Sequence, residues 1–280
     1  MEKLDGKVAM VTGCGGERGV GRAIARRLAA DGADLVLTDV AATGTRVVAS
    51  KPLTPWGGLE AVAADIRATG QRAVTALLDI RSSRQIDDVI AKALETYGRI
   101  DILVNNAAAP PGADRVPVVE LSEEAWDNVL DINLKGPFLV SKAVATEMLR
   151  QKIRGRIINI ASDKAKVGSA NLAAYCASKF GLVGFTQALA MELAPAGITV
   201  NAICPGGIDS ERVDYLGRRE DGSYDEAKRV ERIKQLAALV PLGRLTTPED
   251  VAEMAAFLAS DAAAYITGQA INVSGGTIMH

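Results

Sequence analysis

Apolar residues follow two alternating rhythms along this chain. Short, nearly continuous apolar runs recur at 7–12, 34–39, 73–78, 100–104, 156–161, 198–203 and 270–273. Runs this short, rich in Val, Ile and Leu and bounded by turn residues, predict strands buried on both faces. Between them lie segments of helical period: from the glycines near 21 to about Ala30, Leu59–Thr69, Ser82–Tyr97, and a stretch from Ala173 that closes at Pro195-Ala196-Gly197. A long helical pattern runs from Ser122 to about Arg150, interrupted only near Gly136-Pro137. Gly98 is the expected stop of the helix before it. Strands alternating with helices predict an α/β fold: a doubly wound, seven-stranded parallel sheet with helices on both faces. No second core, repeat or break in composition is visible, so residues 1–280 are expected to form a single domain.

In such a sheet, ligands sit at the carboxyl ends of the strands. Gly13, Asp39, Asp79, Asn106, Ser162 and Pro205 all fall at those ends. The first strand runs into Gly13-Cys14-Gly15-Gly16-Glu17-Arg18-Gly19-Val20-Gly21 and then a helix. Glycines let backbone approach a pyrophosphate, and a helix N-terminus offers free N–H groups and a positive dipole end. Asp39 lies 18 residues beyond Gly21. A carboxylate there can accept from the adenosine ribose hydroxyls and would repel a 2′-phosphate, which favours NAD over NADP. Arg18 argues the other way, since a guanidinium can pair with that phosphate. Residues 41–57, with two prolines and Trp56-Gly57-Gly58 beside them, read as an irregular excursion. It either shields the adenosine end of a cofactor, contacts another subunit, or is a neutral surface insertion.

Tyr175 and Lys179 stand four residues apart on a helix and so share a face. A nearby ammonium favours a phenolate, making Tyr175 a candidate acid or base at a substrate oxygen. Taken alone, the pair is as readily a surface lysine beside a half-buried tyrosine.

Composition narrows the chemistry. The 280 residues are 48 % hydrophobic and 24 % charged, with a net charge of −2, so nothing suggests a nucleic-acid partner. No apolar segment approaches the roughly 20 residues that span a bilayer, and the N-terminal residues lack an apolar signal core. A cytoplasmic location is the default expectation. Cys14, Cys176 and Cys204 suggest neither a disulfide framework nor a zinc site. The only histidine is His280, which excludes an internal Ser-His-Asp triad and any multi-histidine metal site.

Together these features resemble the short-chain dehydrogenase/reductase (SDR) family, from Gly6 to Gly276. The resemblance rests on the 12–21 glycine loop, Asp39, Asp79, Asn105-Asn106-Ala107-Ala108, Asn133 and Ser162, and on Tyr175 with Lys179, Pro205-Gly206 and the tail from Pro241. Ser162 precedes Tyr175 by 13 residues, the family's spacing. The resemblance implies a Rossmann-type fold and an NAD(P)-dependent oxidoreductase acting on CH–OH groups. Tyr175 would be the acid or base. Lys179 would assist it and hold the nicotinamide ribose. Ser162 would hydrogen-bond the substrate oxygen, and Asn133 would bind a water in a proton relay. Gly13, Arg18, Gly19, Val20, Gly21, Asp39, Asp79, Ile80, Asn106 and Ala107 would bind the cofactor, with Pro205, Gly206, Ile208 and Ser210 at its nicotinamide end. Family members pair helices like those at 122–150 and 172–195, so a homotetramer is expected.

Three positions depart from the family pattern. Five residues, Cys14 through Arg18, separate the first two motif glycines, Gly13 and Gly19, where three are usual. Ala108 stands where glycine is usual, and Ser210 where threonine is. A substrate lid is expected at about 207–239. Arg212, Arg218, Arg219 and Lys228 on that lid, with Lys164 and Lys166 after Ser162, hint at a polar or anionic substrate such as a hydroxy acid or sugar acid, although Glu211, Asp214, Glu220 and Asp221 dilute the field, so solvated charges on a mobile lid are the alternative. The leading reading is hydride transfer between NAD(H) and a secondary alcohol or ketone. The alternatives are an NADPH-dependent oxoacyl-type reductase, a non-catalytic dinucleotide sensor, and a sugar-nucleotide epimerase or dehydratase, for which the region after the sixth strand leaves little room.

Overall fold

The computed structural model describes residues 4–45, 48, 50–51 and 55–280. Seven strands form one parallel sheet: β1 Val8–Thr12, β2 Asp34–Asp39, β3 Ala73–Leu77, β4 Ile102–Asn105, β5 Arg156–Ile160, β6 Thr199–Pro205 and β7 Ala270–Val273. Their order is β3-β2-β1-β4-β5-β6-β7. Met10 pairs with Val36 on one side and Leu103 on the other, so β1 is an interior strand. The chain winds outward from β1 through β2 to β3, then returns to lay β4 on β1's other edge. That reversal opens a crevice at the strand ends, where a ligand fits.

Successive strand residues face opposite sides. Ala9 and Val11 pack with α1 (Val20–Ala30), α2 (Gly58–Arg67) and α8 (Pro248–Ala259), through Ile24, Leu28, Ile66 and Val251. Val8 and Met10 pack with α3 (Ser83–Tyr97), α5 (Gly136–Arg150) and α6 (Ala173–Leu193), through Ile86, Val140, Met148 and Leu193. Both faces are covered, which is why the strands read as unbroken apolar runs. Two further helices complete the set, α4 (Glu123–Leu130) and α7 (Glu226–Ala237). Ser82 caps α3 by accepting from the Gln85 N–H, and Gly98 ends that helix at φ 76°, as the sequence predicts.

The long helical pattern from 122 to 150 is interrupted beside Gly136-Pro137, as expected, but not by the proline itself. Gly136 and Pro137 open α5, where proline's missing donor is harmless. The irregularity is a π-helical segment, Asp131–Lys135, that precedes them. It buries Asn133, whose Oδ1 accepts from the Ala109 N–H at 2.8 Å while its Nδ2 donates to Ser178 Oγ at 3.1 Å. Two tertiary hydrogen bonds thus offset the wider turn, a feature frequent at functional sites. Of the 41–57 excursion, residues 46–47, 49 and 52–54 lie outside the described residues. Among the described residues no helix is long and apolar enough to cross a membrane.

Candidate active site

The crevice at the strand ends is a cleft of about 450 Å³. Its floor is the glycine loop. Gly13 adopts φ 74°, and a Cβ there would sit 2.9 Å from the Ala107 Cα. Gly21 packs its bare Cα against the Gly13 carbonyl. Asn106 ties the ends of β1 and β4 together, donating from Nδ2 to the carbonyls of Thr12 (2.8 Å) and Gly13 (2.9 Å). α1 begins at Gly19 with no side-chain cap, so first-turn N–H groups are left for a ligand. A close-approach glycine turn feeding an uncapped helix N-terminus fits a dinucleotide pyrophosphate.

Asp39 ends β2 almost fully buried, and that burial raises its pKa above the usual carboxylate value. Its carboxylate accepts from the backbone N–H groups of Gly15 at 2.8 Å and Ala41 at 3.3 Å, which oppose the shift. The enlarged loop is matched by the excursion that follows β2. Gly15 and Gly44 meet so closely that a Cβ on Gly15 would lie 2.6 Å from the Gly44 nitrogen. Trp56 Nε1 donates to the Gly15 carbonyl at 2.7 Å, and the Arg22 guanidinium stacks 4.8 Å over the indole. Asp79 and Ile80 line the same end of the cleft. Arg81 pairs with the Asp79 carboxylate at 2.7 Å and holds its pKa below the usual value.

Arg18 is directed away from Asp39. Its guanidinium pairs with Asp214 at 2.7 Å and approaches Asp209 at 3.8 Å, while its backbone N–H donates to Glu211 Oε1 at 2.9 Å. The excursion reaches the same lid. Lys51 pairs with Asp214 at 2.6 Å, and Ser50 Oγ donates to the Gly222 carbonyl at 2.8 Å. Arg229 closes the network with 3.0 Å to Asp214.

β5 delivers Ser162, and α6 delivers Tyr175 and Lys179, all three lining the cleft with Pro205, Gly206, Ile208 and Ser210. Ser162 Oγ donates to Asp163 Oδ1 at 2.9 Å and accepts from the Lys164 N–H. Lys179 is buried, donates to the Ile160 carbonyl at 2.7 Å, and lies 5.9 Å from the Tyr175 ring centre. Burial, aided by the charge of Arg212, brings its pKa down from 10.5 to about 7. The lysine's readiness to hold its charge therefore depends on what enters the cleft.

Most of the expected site residues meet here. Three do not form its wall: Arg18, directed to the lid; Gly21, pressed on Gly13; and Asn133, whose side chain is spent on Ala109 and Ser178 behind the cleft. Lys164 pairs with Asp163 at 3.1 Å, and Lys166 donates to the carbonyls of Ala270 and His280, so neither waits for a ligand. Glu211, which reads in sequence as a diluting charge, instead lies against the glycine loop at Gly16. The signal for it was its place directly after Ser210. Ser210 Oγ accepts from the Arg212 N–H, starting a tight 3₁₀ turn over Glu211–Gly217 that turns both charged side chains inward. Among the described residues, no group of three or more His, Cys, Asp or Glu is arranged to hold a metal.

The sequence profile of the enoyl-(acyl carrier protein) reductase family matches residues 13–278. The 3-oxoacyl-[acyl-carrier-protein] reductase of Synechocystis sp. is 40 % identical over 281 residues, covering 100 % of both chains. The sorbitol dehydrogenase of Cereibacter sphaeroides is 37 % identical over 277 residues, 99 % of each. The crystal structure of carveol dehydrogenase from Mycobacterium avium in complex with NAD superposes with a TM-score of 0.86, at 28 % identity and 99 % coverage of both chains. With its sheet order, its glycine turn and its Ser162, Tyr175 and Lys179 in one cleft, the chain belongs to the short-chain dehydrogenase/reductase family of oxidoreductases.

Proposed function

We propose that this protein transfers a hydride between NAD(H) and a secondary alcohol or ketone, with Tyr175 as the acid or base. The observation that carries the reading is a single cleft lined by the glycine turn, Asp39, Ser162, Tyr175 and Lys179. The bound nicotinamide supplies the hydride chemistry. The chain's own residues do the rest. Tyr175 takes the hydroxyl proton in oxidation and returns one to the oxygen in reduction. Ser162 turns its hydroxyl from Asp163 to the substrate oxygen, where a donor stabilises developing charge. Lys179 holds the nicotinamide ribose and supports the phenolate. Asn133, through its π segment, braces α6 at Ser178; with its side chain so engaged, its main chain is what is left to hold a relay water.

Asp39 would accept from the ribose hydroxyls. Among the described residues no Lys or Arg forms an ion pair with it, and Arg18 is neutralised by Asp209 and Asp214. Both facts support NAD. The NADPH-dependent oxoacyl reductase is the second reading, favoured by the 3-oxoacyl reductase among the relatives. We further propose a cytoplasmic, homotetrameric enzyme of one domain with its lid at about 207–239. Exposed Phe138, Leu149 and Phe180 on α5 and α6 support the assembly. Sedimentation as a monomer at micromolar concentration would overturn it.

The test of function is a fluorescence titration with NADH and NADPH, followed by Tyr175→Phe. NADH binding tenfold tighter than NADPH, about 1.4 kcal/mol, supports the Asp39 reading, and an NADPH preference selects the second. Loss of turnover by about 10²–10⁴-fold in Tyr175→Phe, with cofactor binding retained, supports catalysis. Unchanged turnover refutes the role of Tyr175, and cofactor binding without any turnover leaves only a dinucleotide sensor.

A further inference from the structure

We infer that Arg212 is the specificity-determining residue of this cleft and that it binds a carboxylate carried by the substrate. The inference rests on the oxidoreductase reading and deepens it. Arg212 lines the cleft beside Ser162, Tyr175 and Lys179. Its guanidinium spans from the lid to the end of β4, donating to the carbonyls of Ala108 at 3.3 Å and Ala109 at 2.8 Å. Arginine has five N–H donors in a planar fork, so these two bonds leave an edge available.

Three arginines of the lid and glycine loop are neutralised: Arg18 by Asp214, Arg219 by Asp225, and Arg229 by Asp209, Asp214 and Glu226. Among the described residues no carboxylate forms an ion pair with Arg212. Lys179 and Arg115 repel its charge, and the Asp114 carboxylate partly offsets them. Asp114 is itself engaged with the Gly112 N–H at 3.0 Å. Arg115 lies 4.9 Å over the Tyr215 ring, and its Nε is buried without a partner. Arg212 is half-buried; a guanidinium partly withdrawn from water without an anion is costly, and a planar carboxylate meets it with two parallel hydrogen bonds. Asp114 and the nearby Glu211 favour a singly charged carboxylate over a phosphate dianion. Glu211 itself is engaged with the Arg18 N–H.

The location adds a consequence for the chemistry. Arg212 acts electrostatically on both Tyr175 and Lys179. Burial is the larger cause of the lowered Lys179 pKa, and a carboxylate at Arg212 would offset the part that Arg212 adds, favouring the charged lysine. The preferred substrate would then also charge the lysine that assists Tyr175.

The experiment compares NADH-dependent reduction of acetoacetate with methyl acetoacetate, and of levulinate with methyl levulinate, in the wild type, Arg212→Gln and Arg212→Lys. The two pairs place the charge at different distances from the ketone. For at least one pair, the wild type should prefer the acid by about 10–100-fold in kcat/KM, the range of a partly desolvated charge pair. Arg212→Gln should collapse that acid-to-ester ratio to near one, chiefly through the KM of the acid, with the dissociation constant of NADH unchanged. Arg212→Lys should restore part of the ratio. An ester preference in the wild type, or a ratio that survives Arg212→Gln, overturns the inference. So does equal loss on acid and ester, which marks Arg212 as a latch between lid and strand, or weakened NADH binding, which marks it as a cofactor residue. No turnover of any probe by wild-type protein that binds NADH defeats the oxidoreductase reading, and this inference with it. Turnover of the esters without an acid preference defeats this inference alone.

Discussion

Lys179→Met should abolish turnover yet stabilise the cofactor-free protein, and the gain should depend on pH. The ordinary ammonium value is 10.5, and burial brings Lys179 to about 7. Between those values the unfolded chain holds a proton that the folded chain has released, so stability rises with pH across that window. Below pH 7 both states are protonated, and the full burden of the buried charge falls on the fold. At ~1.4 kcal/mol per pH unit that burden is at most about 5 kcal/mol. Methionine removes it but leaves the Ile160 carbonyl without its side-chain donor, which offsets about 1–3 kcal/mol of the gain. The expected net effect is a stabilisation of about 2–4 kcal/mol at pH 6, a rise in Tm of roughly 3–7 °C. At pH 10 the burden has nearly gone, so the variant should be no more stable than wild type, or less. Urea unfolding of both proteins without cofactor, at pH 6, 8 and 10, checks this. A loss of stability at pH 6, or a gain of the same size at every pH, would refute the burial argument.

Asp39→Asn should keep an acceptor for the Gly15 N–H but remove the negative charge, shifting the NADPH-to-NADH affinity ratio by about tenfold or more toward NADPH; equal titration curves before and after would remove Asp39 from cofactor choice. Trp56→Phe should take the donor from the Gly15 carbonyl and weaken NADH binding by about three- to tenfold, the equivalent of one modest hydrogen bond, with little change in Tm. Glu211→Gln should tighten NADH binding by about fivefold, since a carboxylate beside the glycine turn opposes the pyrophosphate and a neutral amide does not. Weaker binding in that variant would mean that Glu211 helps to hold the cofactor.

Periodicity located β2 and β7 to the residue, with Gly32 shortly before the one and Gly275-Gly276 shortly after the other. The site's main chemistry was also legible, since Gly13, Asp39, Ser162 and Pro205 each lie where a strand ends. The π segment was not. Residues 131–135 suit an ordinary helix equally well, and the choice is made by the bonds of Asn133 to Ala109 and to Ser178, 45 residues away. Arg18 illustrates the same limit: its partner Asp214 lies 196 residues further on, so no local pattern reveals that its charge is already matched. Lys164 and Lys166 looked alike in sequence to Arg212, yet Asp163 and two backbone carbonyls claim them. Only Arg212 turns inward, because Ser210 starts a tight turn just before it.

The contact between Gly15 and Gly44, locked by Trp56, bears on any attempt to rebuild this enzyme. The two segments are a matched lock and key within one chain: a shorter glycine turn would strand the Trp56 donor, and a trimmed excursion would leave the longer turn without its backing. Grafting either part alone from another dehydrogenase should therefore fail. A redesign of cofactor choice has to transplant residues 13–21 and 41–58 as one cassette.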